Sequence, residues 1–168
     1  LSEAEIKLRK QVHTLARMLR EHIPGFEKAH VYWTPVSAGV RYTRCVECEH
    51  DMTLEEIVNC ARFDDEVMLY GFHDSAPRIM IKNAGCYGIP YRALVPKQVD
   101  GLLVAGRMIT SDFDAHMSTR NTVSCMAQGE AVGAAAALAA RAGISPRALD
   151  PQVLRDALRK QGVYLGDD

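Results

Sequence analysis

Charge of one sign is not in excess: 20 Lys and Arg stand against 21 Asp and Glu. A chain that grips a phosphate backbone by counterion release needs a basic surplus, so no nucleic-acid partner is expected. Long apolar runs are absent too. The longest, residues 131–140, covers ten positions, half the ~20 required to cross a bilayer; it reads as a buried helix, and no membrane span is expected. No charged-then-apolar leader opens the chain, and Leu1 in place of a methionine suits a processed product or a piece of a longer polypeptide. Cysteine is present but not in the even set of a disulfide-stapled domain. Cys45, Cys48, Cys60, Cys86 and Cys125 therefore point to reduced thiols and a cytoplasmic setting.

What remains is an ordinary globular composition, 48% hydrophobic and 24% charged over 168 residues, enough for one domain with a real core. Ser2 and Glu5 form a capping box ahead of Leu8, Val12, Leu15, Leu19 and Ile23, which repeat at helical spacing until Pro24-Gly25. Residues 30–34 and 39–48 are rich in β-formers and predict paired strands. Thr53 and Glu56 cap a short helix. Residues 66–72 and 78–82 predict a hairpin across Asp74-Ser75-Ala76-Pro77, followed by a loop over 83–90 and a short strand over 91–95. Leu102-Leu103-Val104-Ala105 has the look of a strand buried on both faces. A polar linker, 110–120, leads to the longest helix, residues 122–142, closed by Gly143. Asp150-Pro151 opens a last helix through Val153, Leu154, Ala157 and Leu158, ending at Gly162.

The chemistry concentrates between Asp100 and Ala140. A buried strand ending in Gly106-Arg107 would let a ligand approach closely. The long helix beyond it begins among Ser118, Thr119, Asn121 and Thr122, short polar side chains beside free N–H groups and the positive end of the dipole. Gly129, Gly133 and the alanines leave its surface almost without side chains. Such a helix start is a pocket for an anion or an electron-rich ring.

These residues resemble the FAD-dependent oxidoreductases of the glutathione-reductase-like and fumarate-reductase-like flavin folds. The likeness lies in Gly88-Ile-Pro-Tyr-Arg-Ala-Leu-Val-Pro96, Asp100-Gly-Leu-Leu-Val-Ala-Gly-Arg107, Ser118-Thr-Arg120 and Ser124-Cys-Met-Ala-Gln-Gly-Glu-Ala-Val-Gly-Ala-Ala-Ala-Ala137. It reaches more weakly back through Phe63-Asp64-Asp65 and residues 39–44. The implied fold class is α/β, mixed with α+β character, namely the C-terminal portion of a two-dinucleotide-binding-domain flavoprotein. It divides into a substrate-side region over 1–95, an FAD-binding strand and flavin-facing helix over 96–143, and a helical tail over 144–168.

By the same resemblance the cofactor is FAD. Gly106, Arg107, Ser118, Thr119, Asn121, Thr122 and Gly129 would contact it, and the reaction would be hydride transfer at flavin N5. Arg120, His116 and Arg92 are the catalytic candidates, with Arg41, Arg44 and Tyr91 also on the substrate face. One family element is missing from these residues: the Gly-x-Gly-x-x-Gly strand–turn–helix that cradles the adenine half. The expected partner is thus an N-terminal half or large subunit that carries it, beside a small-molecule substrate. The rival reading is a noncatalytic α/β interaction module with a structural metal at Cys45, Cys48, His50 and Cys60. It is opposed by the lack of a second C-x-x-C and by an extended backbone that would aim two of the sulfurs apart.

Overall fold

The computed structural model describes residues 1–75 and 77–166, in two units that divide between Arg41 and Tyr42. In the first unit, α1 (Ser2–His22) forms where the apolar spacing predicts it, but Ser2 does not cap it. Glu5, the expected capping partner, instead accepts a hydrogen bond from the Ala38 N–H. The predicted strand over 30–34 does not form. The segment is instead tied to α1 by side chains at and beside its ends: Arg9 donates to Thr34 Oγ1 at 2.8 Å and to the Val36 carbonyl at 3.3 Å, and Arg20 donates to the Ala29 carbonyl at 3.2 Å. None of the α1 residues is buried.

The second unit mixes helices with a small sheet. The strand expected over 39–48 reduces to isolated bridges, Val46 to Ile109 and Cys48 to Pro96. At Thr53 the capping box is complete, and α2 (Leu54–Val58) follows it. β1 (Glu66–Tyr70) does not pair with residues 78–82, where Met80 is exposed. Its antiparallel partner is β2 (Tyr87–Pro90), in the stretch read as loop. Burial explains the choice, because Tyr87 and Ile89 bring fully buried side chains to the core. A second cause is Gly88, whose missing Cβ would stand 2.0 Å from the Glu66 carboxylate. The turn expected at 74–77 includes Ala76, which lies outside the described residues.

Residues 91–95 form a 3-10 turn, Tyr91–Leu94, rather than a strand. Leu102-Leu103-Val104-Ala105 is extended but unpaired apart from the Val104 N–H bond to the Leu94 carbonyl, 2.9 Å. It is not buried on both faces, since Leu102 is exposed. The supposed linker holds a helix, α3 (Phe113–Thr119), capped by Asp112. α4 (Thr122–Ala142) ends at Gly143 in the left-handed conformation, φ +65, and α5 (Pro151–Lys160) is capped by Asp150 with proline in its first turn. Ser124, Gln128, Ala131, Ala135 and Ala139 form the buried stripe of α4, which packs against β1, α5 and the 3-10 turn Gly106–Met108. By length and composition α4 is apolar enough to cross a membrane; here its buried stripe faces protein. Leu154 and Leu158 close the core from α5, each worth ~1.5–3 kcal/mol on burial.

Candidate functional site

The turn after residues 102–105 and the start of α4 do meet. Gly106 sits at φ +80, a conformation that glycine adopts without strain. Its N–H points inward and donates to Gln128 Oε1 at 2.6 Å. A Cβ on Gly106 would lie 3.6 Å from Cys125 Sγ, so the turn rests directly on the first turns of α4. Arg107 and Met108 are left facing outward. Gln128, fully buried, spends its amide group on the opposite side: Nε2 donates to the Thr119 carbonyl at 2.9 Å and to Ser124 Oγ at 3.0 Å.

α4 begins at Asn121, whose side chain makes no capping bond. Its Nδ2 turns back to the Met117 carbonyl at 3.3 Å. By contrast α2, α3 and α5 are each capped by a side-chain oxygen, from Thr53, Asp112 and Asp150. First-turn N–H groups of α4 are thus not served by its N-cap side chain, and the positive end of its dipole stays open to an outside acceptor. Arg120 stands beside it with a side chain only 8% exposed, held by Asp74 Oδ2 at 2.6 Å. Burial pushes the Cys125 thiol up, while the charges of Arg107 and Arg120 pull it down. Both guanidinium groups therefore lie within electrostatic reach of the first turn of α4. Burial likewise raises the Tyr70 phenol, which is kept as a donor.

Among the sequence-predicted residues, Gly106, Arg107, Arg120, Asn121 and Thr122 come together here. Ser118 and Thr119 do not belong to the start of the long helix. They are fully buried in the last turn of α3. The Ser118 hydroxyl contacts the Tyr87 hydroxyl at 2.7 Å and donates to the Phe72 carbonyl. Thr119 Oγ1 is buried without a hydrogen-bond partner among the described residues, an arrangement that costs ~1–3 kcal/mol. Gly129 lies two turns along α4 on its exposed face, with open space around it.

Arg92 is engaged with Asp65 and lies over the Phe63 ring, 5.2 Å from its centroid. His116 is not a loop residue: it lies within α3, 2% exposed, edge-on to Tyr42 at 4.9 Å and with Nδ1 3.4 Å from Ser111 Oγ. His73 is equally buried, its Nε2 bonded to the Asp114 carbonyl and its Nδ1 to the Ser75 N–H. Tyr91 turns into the core and donates to the Pro146 carbonyl at 2.8 Å, away from any substrate face. Gln128 and Tyr70 are the residues that sequence reasoning missed. A lone glutamine at a core-facing position of an alanine-rich helix was the available signal for the first.

The metal reading fails on geometry. Among the described residues no three His, Cys, Asp or Glu side chains gather to hold an ion. Cys48 and Cys60 donate to different carbonyls, those of Val46 and Lys82, and His50 Nε2 sits 3.1 Å from Glu56 Oε1.

Comparison with known proteins adds one match. A family model described as FAD dependent oxidoreductase covers residues 1–158. No curated protein and no solved structure matches the chain.

Proposed function

Because the chain belongs to the FAD-dependent oxidoreductase family and FAD is its cofactor, we propose that Gly106, Arg107, Asn121 and Thr122 form the part of the flavin site that this chain supplies. The observation that carries this reading is the start of α4: an N-terminus whose N-cap side chain makes no capping bond, abutting a φ +80 glycine turn and flanked by two arginines. That donor set fits an electron-rich, partly anionic group. Bound FAD supplies two-electron chemistry, exchanging a hydride at N5.

This chain's residues do the orienting. Gly106 lets the turn close on α4 beside Cys125 and Gln128, and Arg107 offers a guanidinium to phosphate or ribityl oxygens. The N–H groups and dipole at Thr122 stabilise negative charge on the ring edge that faces them. Arg120 stands at the same end, but its side chain is only 8% exposed and is neutralised by Asp74, which favours a role in holding the start of α4 in place. A proton donor must reach the reacting atom, so the burial of His116 favours a packing role, and the Asp65 pair favours the same for Arg92. Ser118 and Thr119 support the site from behind, through Gln128 and Tyr87.

Neither C-terminal position within a larger flavoprotein nor dependence on a partner follows from the family alone; both belong to this proposal. It assigns the adenine cradle to a half or subunit bearing the Gly-rich strand–turn–helix, since no such spacing occurs in this sequence. A reducing, cytoplasmic setting is supported by the five free thiols. Co-production with such a half, followed by the visible spectrum and quantitation of released flavin, tests the assignment. One FAD per chain is expected with the half and weak binding without it. A pairing that folds yet carries no flavin sinks the proposal.

A further inference from the structure

Three segments of chain bound the start of α4: the turn Gly106–Met108, the last turn of α3, and the first turn of α4 itself. The first is distant in sequence from the other two, which follow one another, and all three share one connection. Gln128 Oε1 receives the Gly106 N–H, while Nε2 reaches the Thr119 carbonyl and Ser124 Oγ, all from a side chain with no solvent exposure. Its orientation is forced, because a flipped amide would set N–H against N–H at Gly106 and oxygen against oxygen at Thr119. With the inward N–H of Gly106 consumed, the turn can present only its outer edge, Arg107 and Met108, to whatever lies beyond.

We infer that Gln128 is a positioning residue for the flavin: a buried amide clamp that fixes the Gly106–Arg107 turn at a set distance from the N-terminus of α4. This rests on the flavin reading proposed above. Two contact points on different segments act on one rigid ring only if their separation is held, and a satisfied buried polar group holds separation more sharply than apolar packing does. Methionine would fill the same space without hydrogen bonds. It would leave the Gly106 N–H and the Thr119 carbonyl without these partners.

The test compares wild type, Gln128→Met and Ser124→Ala in the flavin-loaded protein, paired with its Gly-rich half. Three readouts are followed: FAD affinity by titration, the flavin absorption envelope with its midpoint potential, and hydrogen exchange at the Gly106 amide. Gln128→Met is expected to weaken FAD binding roughly tenfold or more, on the scale of a lost buried hydrogen bond. Its Gly106 exchange should quicken and its flavin potential should move. Ser124→Ala, which removes one acceptor and disturbs packing least, should shift affinity in the same direction by a smaller factor. If both variants bind FAD as wild type does, with unchanged potential and Gly106 exchange, the inference is overturned, even if Gln128→Met melts at a lower temperature. Should Gln128→Met fail to fold, Ser124→Ala alone decides. A wild type that takes up no FAD removes the flavin reading instead, and Gly106 exchange still reports whether the clamp exists.

Discussion

Tyr91 carries its hydroxyl into the core and spends it on the Pro146 carbonyl at 2.8 Å. Burial pushes its phenol from 10.0 up to about 12, and burial also raises the Cys48 thiol from 9.0 to about 11. Below the unfolded values both groups are neutral in both states, so the folded chain keeps its full stability. As pH climbs past them the unfolded chain ionises first and is favoured, and the loss continues until the folded groups ionise too. Stability should therefore fall from about pH 9 towards pH 12, with the Cys48 thiol setting the onset and the Tyr91 and Tyr87 phenols, both raised by burial, sharing the later part. Tyr91→Phe is expected to cost about 1 kcal/mol near neutrality, for one lost hydrogen bond, and to flatten the alkaline decline. Urea unfolding series run between about pH 8 and pH 11 check both; equal slopes in the two proteins would mean that the phenol is not the titrating group. The sequence presents Tyr91 and Arg92 as neighbours on a strand, whereas they lie in a 3-10 turn with Tyr91 buried. Their actual partners, Pro146 for Tyr91 and Asp65 for Arg92, were not legible, because both lie far along the chain.

At the scale of elements, Asp112 does two jobs with one carboxylate. Oδ1 accepts the Ala115 N–H at 2.7 Å, capping α3, and Oδ2 accepts the Leu54 N–H at 2.6 Å, at the first residue of α2. Asp112→Ala frees both helix starts, and a loss of about 1–2 kcal/mol is expected. Asp112→Asn, which keeps an acceptor oxygen, should recover part of it. Chemical denaturation of the three proteins decides the point, and an alanine variant as stable as wild type refutes the shared cap.

The helices were readable where a capping residue opened the run, as in α2 and α5, or a glycine closed it, as in α4, because those signals are local. α3 escaped because its seven residues are short and polar, and its one sign was Asp112 at the N-cap. The strands went wrong for a different reason. β1 was placed correctly, but its partner was fixed by the burial of Tyr87 and Ile89 and by the room Gly88 leaves for Glu66, facts that exist only once the chain has folded. The site suffered the same limit: Gly106 and the α4 start were visible as motifs, whereas the inward turn of Ser118 and Thr119 followed from the unforeseen α3.

Across the whole molecule, the apolar core is built from residues between Cys48 and Leu165. α1, for all its regular spacing of Leu8, Val12, Leu15 and Leu19, contributes no buried residue. An amphipathic pattern secures a helix, but a helix stabilises a fold only by removing apolar surface from water. The family match covers these first residues as well, while the apolar core lies within residues 48–165. A chain beginning at Tyr42 should consequently keep a cooperative thermal transition, and its midpoint should stay within about 5 °C of the parent, the shift that roughly 1 kcal/mol produces in a domain of this size. Calorimetry together with near-ultraviolet circular dichroism makes the comparison. Loss of the cooperative transition would show that 1–41 supply packing to the rest. A preserved transition with weakened FAD uptake beside the Gly-rich half would assign those residues to cofactor or partner contacts instead.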